Sequence, residues 1–319
     1  MRGRASPFLR IFSSPFFRRT VAVIPVLIGV SLVAFALIRF IPGDPVTLLL
    51  AESERSTPEE VNAAKERLGL DRPVMVQYGL YLYRLAQGDM GRSIRSGRPV
   101  SEEIAARYPS TLLLALGATC VTILVGIPLG VLAAVRKDSF YDRLSMVIAL
   151  FGISAPIFWL GLVLQIVFAL WLGLLPSAGK GGTSHLVLPV VTLGLFPVAN
   201  VARLVRASML EVLSQEYMTA ALAKGLPTWV RLFRHALRNA LIPAVTVIGL
   251  SLGYMLGGAV ITEVVFAWPG IGRYLVQAIF TRDYPVVQGA ILVIAISYVI
   301  INFFTDMVYS LLDPRIRVH

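Results

Sequence analysis

Residues 109–135 read PSTLLLALGATCVTILVGIPLGVLAAV, without one charged side chain. About 20 such residues in a helix cross the hydrocarbon core of a bilayer, so this run already decides for a membrane span. Working outward, five further stretches qualify: 20–41, 144–172, 185–202, 241–262 and 286–312. The run 185–202 is the shortest and carries Pro189 and Pro197. In a membrane bundle, neighbouring helices re-satisfy the carbonyls a proline frees, so both are compatible with a span. The fold class expected is an all-α membrane protein with six transmembrane helices. Composition agrees: the 319 residues are 56% hydrophobic and 15% charged, where a soluble domain is roughly a quarter charged. Cys120 is the one cysteine, so no intrachain disulfide forms. His185, His235 and His319 are too scattered for a metal-ligand cluster.

A formal charge of +11 would suggest nucleic acid in a soluble protein. The placement of the charges argues otherwise. With the N-terminus inside, sixteen of the 29 Lys and Arg fall in cytoplasmic segments: the N-tail 1–19, residues 136–143, 203–238 and the tail 313–319. The short outer loops hold Lys180, Arg273 and Arg282 alone. That is the positive-inside pattern, and it places both termini in the cytoplasm with no nucleic-acid partner. The apolar run after Arg18-Arg19 is too long for a signal peptide and no small-x-small cleavage site follows it. It reads as a retained first helix.

Residues 42–108 read as a small helical extracytoplasmic domain between the first two spans. Thr57-Pro58-Glu59-Glu60 forms a capping box and Gly69 closes that helix. Pro73 opens a second helix carrying Tyr78, Tyr81 and Tyr83 and ending near Gly88. Ser101-Glu102-Glu103 starts a third, which leads into the second span at Pro109. Residues 109–312 then form a five-helix core with a cytoplasmic loop at 203–240. Within the loop a helix is expected over 208–224, stopping at Gly225, with a new one after Pro227. In the second helix Arg231, Arg234 and Arg238 share one face with His235, opposite Val230, Phe233, Leu237 and Leu241. A basic amphipathic helix of this kind lies in the lipid headgroup layer. Gly249, Gly253 and Gly257, and Gly126, Gly130 and Ala134, repeat at the spacing that lets helix backbones approach.

Several chemistries are missing from the sequence. Gly179-Lys180 is followed by Gly181, so there is no Walker-A phosphate loop, and neither HExxH nor GxSxG occurs. Glu263 and Arg39 lie at outer span ends and Asp306 towards an inner end, leaving the midplane without ionisable groups. Ion-coupled carriers keep such groups deep in the bilayer. Transport by this chain is therefore expected to draw energy from another polypeptide. An ion-coupled secondary carrier is the competing class.

Thr219-Ala220-Ala221-Leu222-Ala223-Lys224-Gly225 resembles the E-A-A-x-x-x-G motif of bacterial ABC-importer permeases. Arg234-His235-Ala236-Leu237-Arg238-Asn239-Ala240-Leu241-Ile242-Pro243 resembles its continuation in the dipeptide/oligopeptide/nickel branch. Ile41-Pro42-Gly43-Asp44-Pro45, Leu68-Gly69-Leu70-Asp71-Arg72-Pro73 and Gly88-Asp89-Met90-Gly91-Arg92-Ser93 agree with it. So do Phe266-Ala267-Trp268-Pro269-Gly270-Ile271-Gly272 and Leu312-Asp313-Pro314-Arg315. The resemblance implies a type I ABC-importer permease fold and no catalytic residue. It also implies a loop, Glu216, Thr219, Ala220, Ala221, Lys224, Gly225 and Leu226, that couples to an ATPase. Thr219 stands where the motif has Glu, and Glu216 is the nearest preceding carboxylate. Implied partners are a second, homologous permease subunit in a heterodimer, two ABC ATPase subunits, an extracytoplasmic substrate-binding protein and membrane lipid. ATP and Mg would sit on the ATPase, with no cofactor and no metal on this chain. The bacterial inner membrane is the implied location and peptides the implied cargo. Glutathione, nickel chelates and sugars are alternatives. Polar groups inside the spans, Ser154, Gln165, Asn200 and Asn302, are candidates for the translocation path.

Overall fold

The structure, a computed structural model, describes residues 15–40 and 72–312. The expected helix at 57–69, the Ile41–Pro45 and Leu68–Asp71 blocks and the 313–319 tail lie outside them. The described elements are all helical: α1 Pro15–Phe40, α2 Val74–Ala86, α3 Val100–Val121, α4 Ile127–Val135, α5 Phe140–Ser154, α6 Ile157–Leu164 and α7 Ser184–Leu213. Then come α8 Glu216–Ala223, α9 Leu237–Val265, α10 Ile271–Phe280 and α11 Tyr284–Leu312. Three π-helical turns, Thr122–Gly126, Gln165–Trp171 and Val230–Ala236, join α3 to α4, extend α6 and lead into α9. Among the described residues, four continuous helices are long and apolar enough to cross a membrane: Val100–Val135, Ser184–Leu213, Val230–Val265 and Tyr284–Val308. Val23–Ala36 and Ile157–Trp171 are shorter apolar helices.

The helix expected from Ser101 into the second span is continuous: α3 runs through Pro109, because a proline removes one N–H while both flanks continue to propagate the helix. Three local expectations are corrected. The run 144–172 is broken: Ala155 precedes Pro156, which is extended at φ −60°, ψ 135°, and a residue before proline disfavours the helical region. The helix expected over 208–224 is two helices. Ser214 turns its hydroxyl back to the Glu211 carbonyl at 2.7 Å and Gln215 is extended, the local competition that makes serine a helix terminator. Finally, residues 230–236 form no separate surface helix but wind as a π turn straight into α9.

The described residues divide into two compact units. In the unit made of 15–40, 72–108 and 274–299, α2 packs on α1 through Phe35, Tyr78 and Tyr81, with Phe35 and Tyr78 ring centroids 5.1 Å apart. Burial, with Tyr78 beside it, pushes the Tyr81 hydroxyl up to about 12. The turn between α2 and α3 is anchored by buried Asp283. That carboxylate accepts the Ser93 hydroxyl at 2.5 Å and the Ile94 amide at 3.1 Å. Buried Glu103 accepts the hydroxyls of Ser96 and Tyr274, and the Arg107 guanidinium lies 3.9 Å over the Tyr274 ring.

The unit made of 109–273 and 300–312 is built around α7. Its most apolar 18 residues are 61% buried, against 28%, 28% and 33% in the other three long helices. One apolar cluster joins Leu114 and Ala118 of α3, Leu193 of α7 and Met255 and Ala259 of α9. A second joins Ala134 of α4, Val205 and Met209 of α7, Met218 of α8 and Ala240 of α9. The close approach expected at Gly126 and Gly130 is present: a Cβ on Gly130 would sit 2.6 Å from the Ala202 carbonyl oxygen. Of the other glycine series, Gly249 packs tightly on Thr305, whereas Gly257 faces open space.

Candidate coupling surface and translocation cavity

The loop between α7 and α9 is a compact knob. Gln215 is extended and α8 follows with Glu216 in its first turn. The helix ends in a Schellman motif: the Leu226 amide donates to the Ala221 carbonyl at 3.2 Å and the Gly225 amide to Leu222 at 2.9 Å. Gly225 adopts φ +73°, where a Cβ is strained, so glycine is the residue this turn requires. Met218 and Ala221 face inward, while Glu216, Thr219, Ala220, Leu222 and Lys224 are exposed and Leu226 is half-buried. The Tyr217 hydroxyl accepts the Asn239 side-chain amide at 2.9 Å, tying the knob to the start of α9. The alanine pair is thus split. Ala220 is available to a partner, and Ala221 is small because it packs on its own chain.

The basic series is split as well. Arg234 and Arg238 are exposed, but Arg231 is half-buried, its Nη2 donating to Thr228 at 3.1 Å. Phe233, expected on the opposite side, is 59% exposed. A π turn carries an extra residue per i→i+5 ring, so positions one α-turn apart no longer share a face.

A cavity of about 200 Å³ lies where α5, α6, α7 and α9 meet. Gly152, Ala155 and Ile157 flank it from the broken third segment, Phe196 and Pro197 from α7, and Tyr254 and Gly258 from α9. The Phe196 and Tyr254 rings stand 6.0 Å apart. None of the four expected path residues lines it. Gln165 donates to the carbonyls of Ser177 at 2.7 Å and Val265 at 3.2 Å. Asn200 accepts from Arg203 at 3.0 Å. Ser154 is the last residue of α5, and the Asn302 carbonyl oxygen is buried without a hydrogen-bond partner. The sequence signal for the cavity was the proline pair Pro156 and Pro197, because interrupted helices expose backbone polar groups where they border a cavity.

Two acidic groups outside the expected set organise this unit. Buried Asp142, at the start of α5, receives Nε of Arg206 on α7 at 2.6 Å and its Nη2 at 2.7 Å. These hydrogen bonds hold the Asp142 carboxyl below the usual carboxylate range. Glu263 on α9 has no exposed surface. It accepts the Thr111 hydroxyl at 2.6 Å and the Arg273 amide at 3.0 Å.

Residues 126–318 match the family described as binding-protein-dependent transport system inner membrane component, and residues 14–115 match its N-terminal companion. The chain belongs to this permease family. It is 44% identical to a dipeptide transport system permease protein of Alkalihalophilus pseudofirmus, over 94% of this chain and 98% of that one. Against a di/tripeptide transport system permease protein of Pseudomonas aeruginosa the identity is 42%, over 94% and 97%. A glutathione transport system permease protein of Escherichia coli is also 42% identical, over 94% and 97%. Among solved structures, the MetNI methionine ABC transporter in an inward-facing conformation matches with a TM-score of 0.58. That match has 20% identity and covers 66% of this chain and 96% of that one. The fold is therefore that of an ABC-importer permease, a multi-pass membrane protein, as the EAA-like loop implied.

Proposed function

We propose that this permease forms half of the translocation path of an ATP-driven importer of short peptides, working by alternating access. The observation that carries this reading is the knob at α8, which presents Glu216, Thr219, Ala220, Leu222 and Lys224 outward on a rigid, glycine-terminated turn. Two partner ATPases, carrying ATP and Mg, take the knob into a surface cleft. This chain itself holds no cofactor. A second, homologous permease completes the path, and a soluble binding protein delivers cargo to the outer face. Both termini lie in the cytoplasm. The relatives named for dipeptides, di/tripeptides and glutathione support a peptide cargo, glutathione being itself a tripeptide.

Replacing Gly225 with valine tests the coupling role, since a β-branched residue at φ +73° is strained by about 1–3 kcal/mol. The G225V chain should still insert and pair, but its co-purification with ATPase should collapse. Normal ATP-driven uptake by G225V would sink the coupling role. Competition of uptake by unlabelled di- and tripeptides tests the cargo, and the absence of competition would remove the peptide assignment.

A further inference from the structure

Three backbone irregularities meet on one short stretch of α7. The π turn Thr122–Gly126 abuts it where a Cβ on Gly126 would lie 3.1 Å from the Val198 carbonyl oxygen. The end of α5, just before the Ala155–Pro156 break, abuts it where a Cβ on Gly152 would lie 3.2 Å from the Leu195 carbonyl oxygen. Pro197, between those two contacts, removes the amide that would bond the Leu193 carbonyl. Helices bend at prolines and π turns, so three neighbouring elements share one weak level. The cavity lies at that level, walled by Gly152, Ala155, Phe196 and Pro197.

On the knob side of this level the packing is the reverse of weak. Gly130 of α4 brings its backbone against Ala202 and Val205 of α7. Asp142 fastens α5 to Arg206 through two parallel charge-assisted hydrogen bonds. Asp142 also accepts the Asp138 amide at 3.0 Å, and Asp138 is held at φ +62°. The turn 136–139 is thereby locked to the same carboxylate. A forked, largely buried pair of this kind resists both sliding and rotation, which a single point charge does not. From Arg206, α7 continues to Leu213 and passes directly into the knob.

We propose that Asp142 and Arg206 are positioning residues for transport: they make α4, the start of α5 and the C-terminal part of α7 move as one block with the knob. The block turns on the line formed by the π turn, Pro156 and Pro197, and each displacement of the knob thereby reshapes the cavity wall. The proposal rests on the coupling role of α8.

The test is the complete importer in proteoliposomes, with ATP hydrolysis and peptide uptake measured in the same vesicles. Asp142→Asn and Arg206→Gln should each raise the ATP consumed per peptide about fivefold, with subunit assembly unchanged. Arg206→Lys, which keeps the charge but loses the fork, should fall between. The exchange of both, Asp142→Arg with Arg206→Asp, should recover most of the coupling. An unchanged ATP-to-peptide ratio in the single variants, or no recovery in the exchange, overturns the proposal. Should the variants fail to assemble, spin labels at exposed Lys137 and Ala207 on a Cys120→Ser background decide it. Their separation should stay constant between nucleotide states, and a change would overturn the block. G225V serves as the separate control. If it binds ATPase normally, the coupling role of α8 has failed, whatever the Asp142 variants show.

Discussion

Glu263 shows what a single residue does in this protein. Its side chain has no exposed surface, and donors converge on it: the Thr111 hydroxyl on one oxygen and the Arg273 amide on the other. The Thr111 oxygen in turn accepts the Ile271 amide at 2.9 Å, and the Trp268 indole donates to the Ser110 carbonyl at 2.9 Å. One carboxylate therefore pins the whole 266–272 turn to the start of the second span. A side chain at Gly270 would collide with it, and one at Gly272 would meet Val260 Cα at 2.5 Å as well as the Glu263 carboxylate at 3.0 Å, which explains both glycines. Glu263→Ala strands the two donors, at about 1–3 kcal/mol each. The detergent-solubilised permease should unfold several degrees lower, while Glu263→Gln, which keeps one acceptor, should lose less. Equal melting temperatures for Glu263→Ala and wild type would remove this role. The 266–272 block was legible in the sequence as a motif, and Glu263 as an ionisable residue at a span end. That the two are one structure was not legible, because residues 111, 263 and 273 are brought together only by tertiary packing.

At the scale of elements, hydrophobic length marked the apolar segments and glycine spacing marked their contacts, but neither marked the irregular backbone. Gly130 and Gly257 look alike in sequence, each in a four-residue small-side-chain repeat. In the structure, a Cβ on Gly130 would sit 2.6 Å from the Ala202 carbonyl oxygen and 2.7 Å from Val205 Cβ, whereas Gly257 has nothing within 4 Å. Gly130→Val should thus overpack the α4–α7 contact and cost about 1–3 kcal/mol. Gly257→Ala should leave stability unchanged or raise it by up to about 1 kcal/mol through helix propensity. Thermal unfolding of the two variants side by side checks this, and a comparable loss in both would mean that Gly257 is packed after all. Periodicity also misplaced the face of Arg231. The rule for shared faces assumes 3.6 residues per turn, and three of the described segments wind wider than that. The knob fared better. Glycine after an alanine-rich run is a local signal, and its φ of +73° is set locally.

The whole molecule raises the question of what drives it. Within the described spans, Glu102, Glu103 and Glu211 lie near helix ends; the other carboxylates are Glu263, held by Thr111 and the Arg273 amide, and Asp306, in the last helix. The cavity walls carry Thr192 and Tyr254 as polar side chains and no titratable carboxylate or histidine. Proton-coupled carriers keep ionisable groups along the path, and among the described residues none lines the cavity. On the proposed function, energy enters mechanically, with the knob as an exposed, rigid element on which a partner can push. This chain alone in liposomes should show no peptide uptake under either a proton or a sodium gradient. Uptake should appear on adding the second permease, the ATPases, the binding protein and ATP, and it should stop with a non-hydrolysable ATP analogue. Gradient-driven uptake by the chain alone would reverse the reading. The cavity between Phe196 and Tyr254 would then be the binding site of a self-sufficient carrier, and the knob a passive cap.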